Sequence, residues 1–570
     1  MSIAAVEQSG RIWRERGLIY GLGAVVSALS LLPLARLLVE SVMVRGTPSL
    51  DAFGRVLSSP ATWTAFRNSM ETALGGTAIA FVIGAIVAIV VAMTDIRARS
   101  TFVFCFVLPL MIAPQVTALA WLQVTGPASP LLKAIGMAPP LGSRNPLYSG
   151  EGIILLLGIQ YAPLVFLTLR AGLRSLPREL VEAGLSSGAS KWMVLRTIIV
   201  PLMTPPLIAG LALSFVSCIG NFGIPAFLGI PGRYTVLPTL IYQRLSGLGP
   251  SALSEVAVLS ILIGVVAIAG ILLQDLMLHR RDFRTTTSSA QFQPFELGRW
   301  RLPTEMLLWA TITVILLVPL IGLVMTSLVP AYGVRLTTAT ATLANFRFVL
   351  FEHEAARRAF ANSFMLAGGA AVLLALISMP LAYFVVWRRT WLLRLLNLAA
   401  ELPYALPGVV LSIAAILLFL KPIPMLGISL YNTIWIIFFA YLARFLVLGL
   451  RPVVSGYHQL DRALEEAAQV AGASLTFRLR TVIVPLVAPA AVAGAILIFL
   501  TAFNELTVSA LLWSSRAETL GVVVFSFEQG GESNFAAAMS VLTIVVTLAI
   551  LLLLAALGRH VPAGVLPWRD

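Results

Sequence analysis

Few side chains in this sequence could handle a charged or polar molecule. Two stretches hold the main candidates: CIGNFGIPAFLGIPGRYTV, from Cys218, with Asn221 and Tyr234, and AFNELTVSALLWSSRAETL, from Ala502, with Asn504, Glu505 and Glu518. Both are apolar segments interrupted by Gly, Pro or polar residues, the pattern found where a membrane protein lines a pathway. Asn221 and Asn504 nearly correspond between the two stretches. The oxygen donors Glu505, Glu518 and Tyr234 suit a hard cation such as ferric iron, but they form no dense ligand set and serve equally well as helix caps or contacts to another protein. Glu401 lies early in an apolar run, just before Leu402 and Pro403. A carboxylate there is costly to bury unpaired unless it sits at the membrane interface. Cys105 and Cys218 lie far apart in apolar sequence and imply neither a disulfide nor a metal site.

A second kind of chemistry is offered by EAGLSSGASKWMVLRTIIVP, Glu182 to Pro201. A carboxylate opens it, small residues follow, Gly188 supplies a sharp turn, and Pro201 closes it just inside the next apolar run. That composition predicts a short helix, a turn and a second short helix lying along the membrane face, with Glu182 at the positive end of a helix. Small side chains let another protein approach closely. The segment is no phosphate loop, because Lys191 follows Gly188 by three residues and precedes Trp192, whereas a phosphate loop needs Lys directly after Gly and before Ser or Thr. By itself it reads as an ordinary basic loop. Its twin changes that: EAAQVAGASLTFRLRTVIVP, Glu466 to Pro485, agrees with it at 11 of 20 positions, 284 residues further on. AFRNS from Ala65 and AFANS from Ala359 form a second matched pair, as do Leu108-Pro109 and Leu402-Pro403. The chain is an internal duplication.

The elements that must carry these segments follow from composition. Of 570 residues, 59% are hydrophobic and 11% charged, far below the roughly 25% charged content of a soluble domain. A bilayer core of about 30 Å needs about 20 apolar residues per helix. Such stretches fall near 18–42, 69–93, 101–124, 152–171, 200–220 and 252–276, and again near 304–328, 363–387, 396–419, 431–450, 482–502 and 537–557. The expected fold is therefore an all-α polytopic membrane protein of about twelve spans, in two parallel six-helix repeats related by an axis normal to the membrane. Arg11, Arg14 and Arg16 precede the first run, which reads as an uncleaved helix, and Arg36 and Glu40 near its far end read as a snorkelling ion pair. The net charge of +14 is scattered over short loops, which excludes a nucleic-acid patch and fits the positive-inside rule with both termini cytoplasmic. The first half runs over 1–278 and the second over 304–570, with 279–303 as a polar cytoplasmic linker suited to a flexible tether. Pro109 and Pro114, and Pro403 and Pro407, are expected to kink their helices.

The twin segments resemble the EAA loop of bacterial ABC importer permeases: Glu-Ala-Ala, three residues, Gly, nine residues, Ile, one residue, then Leu-Pro. The second copy fits with Glu466, Ala467, Ala468, Gly472, Val482 and Val484-Pro485. The first has Glu182, Ala183, Gly188, Ile198 and Val200-Pro201, with Gly184 in the third motif position. The resemblance implies an inner-membrane permease subunit, itself non-catalytic and without a bound cofactor or metal. It works with two ATPase subunits, which carry ATP and Mg, and with a periplasmic substrate-binding protein. In this family the loop holds a coupling helix that seats in a groove of the ATPase. LPYALPGVV from Leu402, ARFLVLGLRPV from Ala443 and FNELTVSALLW from Phe503 are similar to fused ferric iron permeases; related permeases carry thiamine, polyamines or phosphonates. A secondary transporter of parallel repeats is the rival class, disfavoured by the matched loops and the scarcity of intramembrane acid pairs.

Overall fold

The computed structural model describes residues 3–557 apart from 45–46, 141, 175, 248–251, 280–294, 389 and 423–426. Among the described residues nine helices are long and apolar enough to cross a bilayer, and three bent pairs bring the number to twelve if each pair is one span. All twelve apolar stretches read from the sequence lie on these helices or pairs. In hydrocarbon every backbone group must be bonded internally, so an apolar run of this length becomes a helix.

Two of the expected spans are broken, at equivalent places. Arg99–Met111 meets Pro114–Ala134 at 100°, and Trp391–Ala405 meets Gly408–Phe419 at 108°. The residue before each of Pro114 and Pro407 is extended, Ala113 with ψ 136° and Leu406 with ψ 147°, as the clash with a following proline ring demands. A third pair, Lys191–Leu202 and Thr204–Ile219, bends by 64°.

Each half has a core of three mutually packed helices: Pro60–Met93, Gly150–Arg174 and Thr204–Ile219 in the first, Glu354–Tyr383, Ile434–Gln459 and Val484–Phe503 in the second. Small residues allow the close approach. A Cβ on Gly84 would stand 2.6 Å from the Ala162 carbonyl oxygen, and one on Gly494 would stand 3.0 Å from the Cα of Gly449. The AFRNS and AFANS motifs have a shared purpose here. Asn68 Nδ2 donates to the Thr235 carbonyl (2.9 Å) and Asn362 Nδ2 to that of Glu518 (2.9 Å), while Ser69 and Ser363 Oγ accept from the N–H groups of Leu237 (2.7 Å) and Leu520 (3.0 Å). Each motif thus ties its half's second span to the chain following the fifth.

The halves exchange their first helices. Glu15–Ser41 packs on Trp391–Ala405 and Gly408–Phe419 of the second half, and Gly298–Ser327 packs on Arg99–Met111 and Pro114–Thr125 of the first. Arg36 marks the former contact, with Nη2 on Glu40 at 2.8 Å and Nε donating to the Leu417 carbonyl at 3.3 Å. The linker corrects the expectation of a free tether. Residues 280–294 lie outside the described residues, but its end is pinned to the first half. Phe295 N–H donates to Met93 (2.7 Å), Leu297 N–H to Asp95 Oδ1 (3.0 Å), and Arg301 pairs with Asp95 at 3.3 Å. The Leu297 hydrogen bond, helped by Arg301, holds the Asp95 carboxyl below its ordinary range.

Candidate functional site

The twin segments fold alike. Arg178–Ser186 and Lys191–Val194 flank Gly188 in the first copy; Ala463–Val470 and Leu475–Arg478 flank Gly472 in the second. Gly188 and Gly472 have φ of 84° and 83°, a conformation natural only to glycine, and each closes its helix with a paired carbonyl lock. Gly188 and Ala189 N–H donate to Leu185 (3.0 Å) and Gly184 (3.2 Å), and Gly472 and Ala473 to Gln469 (3.0 Å) and Ala468 (3.0 Å), the Schellman arrangement. The following helix is capped by Ser190 Oγ, which accepts from Met193 N–H at 3.2 Å, or by Ser474 Oγ, which accepts from Phe477 N–H at 3.3 Å. Glu182, Ala183, Gly188 and Pro201 are exposed, as are Glu466, Ala467, Gly472 and Pro485, with Ala468 half-buried. Beside them Leu180 and Met193, and their equivalents Leu464 and Phe477, are also exposed. The departure at Gly184 has a packing reason, since a Cβ there would come within 2.7 Å of Ile198.

Beneath this matching surface the copies differ. Glu465 and Arg478 are buried and form an ion pair, and Arg478 Nη1 also donates to Gln469 Oε1 at 2.9 Å. Tyr383 Oη donates to Glu465 at 3.0 Å, and Glu15 of the exchanged first helix stands 3.8 Å from Arg478 and 2.8 Å from Arg388. The equivalent positions in the first copy, 284 residues earlier, are Val181 and Val194, both buried. A charged lock in one loop replaces an apolar contact in the other.

The second group lies where each helix break meets the other half. Asn504 Nδ2 reaches the Met111 carbonyl at 3.5 Å, and Gln115 Nε2 donates to the Asn504 carbonyl at 3.1 Å. At the equivalent place a Cβ on Gly220 would touch Pro407 at 3.4 Å. Position 284 therefore equates Asn504 with Gly220, and Asn221 with Glu505, which corrects the near match of the two asparagines. Asn221 and Glu505 do the same local work: Asn221 Oδ1 accepts from Ile224 N–H (3.0 Å) and Glu505 Oε1 from Val508 N–H (2.8 Å). Asn221 Nδ2 also donates to Tyr161 Oη at 2.8 Å, and the second Glu505 oxygen accepts from Ser509 N–H at 3.2 Å.

The model of the family described as binding-protein-dependent transport system inner membrane component matches twice, over residues 80–287 and 371–566. The chain belongs to that family. It is an ABC importer permease with two family repeats in one polypeptide, one twin loop in each. A probable ABC transporter permease protein of Sinorhizobium fredii, y4fN, is 26% identical over 521 residues, covering 90% of this permease and 90% of that protein. The ferric transport system permease protein FbpB of Actinobacillus pleuropneumoniae is 26% identical over 466 residues, 80% of this chain and 66% of its own length. A probable molybdenum ABC transporter permease protein of Haloferax volcanii is 28% identical over 255 residues, 44% of this chain and 88% of its own.

The permease does not bring its oxygen donors together as a metal site. Glu518 pairs with Arg358 at 3.2 Å, Tyr234 Oη donates to Glu71 at 3.1 Å, and Glu401 sits partly exposed 3.5 Å from Arg451. No group of three or more His, Cys, Asp or Glu among the described residues is placed to hold a metal ion. Sequence reasoning passed over Glu465, Arg478, Gln160 and Arg444. The signal for the first two was present in the aligned repeats, where Glu and Arg replace Val and Val; for the last two it was a Gln and an Arg at one register of matched apolar helices.

Proposed function

We propose that this permease imports ferric iron across a bacterial inner membrane, driven by two copies of a separate ATPase and supplied by a periplasmic binding protein. The halves 1–278 and 304–570, joined by 279–303, form the membrane unit, with both termini in the cytoplasm. Glu182, Ala183, Gly188 and Pro201, with Glu466, Ala467, Ala468, Gly472 and Pro485, form the two sites at which the ATPases dock. ATP and Mg belong to those ATPases, and this chain catalyses no reaction and holds no cofactor. The observation carrying the reading is the duplicated, exposed helix–glycine–helix surface at one place in each of two matched halves. Asn221, Asn504 and Glu505 lie on the seam between the halves and belong to the translocation pathway in this reading; Glu401 is a more peripheral member. Iron is supported by the similarity to FbpB and by the Leu402, Ala443 and Phe503 motifs.

The test is co-purification and uptake by the intact importer. Tagged permease is expected to retain an ATPase and to sustain ATP-dependent uptake of radiolabelled ferric iron in preference to thiamine, polyamine, phosphonate or molybdate. The Glu182→Ala, Glu466→Ala double variant should fold yet lose the ATPase. Transport that persists without ATP, with no ATPase retained, would establish a secondary transporter instead.

A further inference from the structure

An unpaired arginine stands near the middle of a membrane span. Arg444 lies ten residues into the helix Ile434–Gln459, about 15 Å along its axis and so close to the midplane of a hydrocarbon core about 30 Å thick. Tyr441, Ala443 and Phe445 around it are buried. Arg444 makes no hydrogen bond or ion pair with any described residue, and its Nη1 is buried without a partner. A charge in such a place is expensive and marks a functional position. Glu505 and the hydroxyls of Tyr441 and Tyr161 are within electrostatic reach, yet both Glu505 oxygens are already taken by the N–H groups of Val508 and Ser509.

The first half shows what a purely structural residue does at this position. Its helix Gly150–Arg174 starts 284 residues before Ile434, which sets Gln160 opposite Arg444. Gln160 Nε2 donates to the carbonyls of Pro109 (2.9 Å) and Ile112 (3.2 Å), tying down the helix break. Arg444 leaves the equivalent carbonyls of Pro403 and Leu406 alone. Its guanidinium instead occupies space that exists because residue 408 is glycine, where a Cβ would collide with Nη1. The charge is therefore held at the break, beside the seam, without being consumed by the fold.

We propose that Arg444 is an anion-recognition residue of the translocation pathway: its free guanidinium N–H takes an anionic oxygen carried by the cargo. A metal cargo then crosses within oxyanion ligands and not as a bare cation, which the guanidinium would repel. The planar guanidinium suits carboxylate or phosphate oxygens. The inference rests on reading the seam as the pathway.

The test uses the full-length permease in nanodiscs of zwitterionic lipid, with citrate and inorganic phosphate as anionic probes and spermidine as the cationic control, read by the thermal unfolding midpoint. Citrate or phosphate should raise the midpoint of the unmodified chain saturably, since a ligand of the native state stabilises it. Arg444→Lys should keep a smaller rise. Arg444→Gln, the residue the first half carries, should lose the rise without a lower starting midpoint. An equal rise in Arg444→Gln, no rise with either oxyanion, or a saturable rise with spermidine would each overturn the proposal. Because the readout needs neither ATPase nor uptake, its failure leaves the importer reading standing.

Discussion

Replacing Arg478 by Val, the residue at the matching place in the first half, should unlock the second loop while leaving the first untouched. Arg478 is 2% exposed and Glu465 is 5% exposed. The single change leaves a buried carboxylate with only the Tyr383 hydroxyl as donor and strips Gln469 of its partner. Removing one member of a buried ion pair costs about 3–5 kcal/mol, whereas replacing both by apolar residues is often neutral or stabilising. Glu465→Val, Arg478→Val, which recreates the Val181 and Val194 contact, should therefore recover most of the loss. At 1.4 kcal/mol per factor of ten, the single variant should open its loop at least about 100-fold more often. Hydrogen exchange of residues 463–483 in the full-length permease reads this directly, since exchange tracks local opening, with residues 178–199 as internal control. Equal exchange in the single and double variants, or a change of similar size in the first loop, would refute the assignment of the pair as the lock.

Two further outcomes follow from the same geometry. Gly188→Ala and Gly472→Ala each force alanine to a positive φ with nothing within 4 Å to clash; each should cost about 1 kcal/mol, equally in the two loops, and Asn in place of Ala should cost less, measured by the same exchange experiment. Asp95→Ala should speed exchange of the Leu297 amide. Because the Asp95 carboxyl titrates below its ordinary range in the folded protein, the contact persists above the ordinary value of about 3.9 and is lost only as pH falls through the lower folded value, so protection at Leu297 that disappeared near neutral pH would contradict the pairing.

Much of this architecture was legible because its determinants are local. An apolar run long enough to span a bilayer has one backbone solution, and twenty residues containing a Gly turn, a serine cap and a closing proline specify helix, turn and helix whatever surrounds them. Comparing two copies of such a segment exposed the duplication and the paired loops without any knowledge of contacts. The breaks at Ala113 and Leu406 were likewise signalled by the prolines that follow or flank them.

What the sequence by itself determined was thus the number of apolar spans, the repeat and the form of the twin loops. Only the tertiary structure decided that the first helices are exchanged, that Asn221 answers to Glu505 and not to Asn504, that the linker's end docks on Asp95, and that Glu465 and Arg478 pair beneath a surface the first loop builds on valines. These depend on which face of a helix meets which neighbour, often hundreds of residues away, and helices that are apolar on every side carry little periodic signal to say so. In a bilayer the few polar side chains are placed by packing between helices, so their partners emerge only once the helices are assembled.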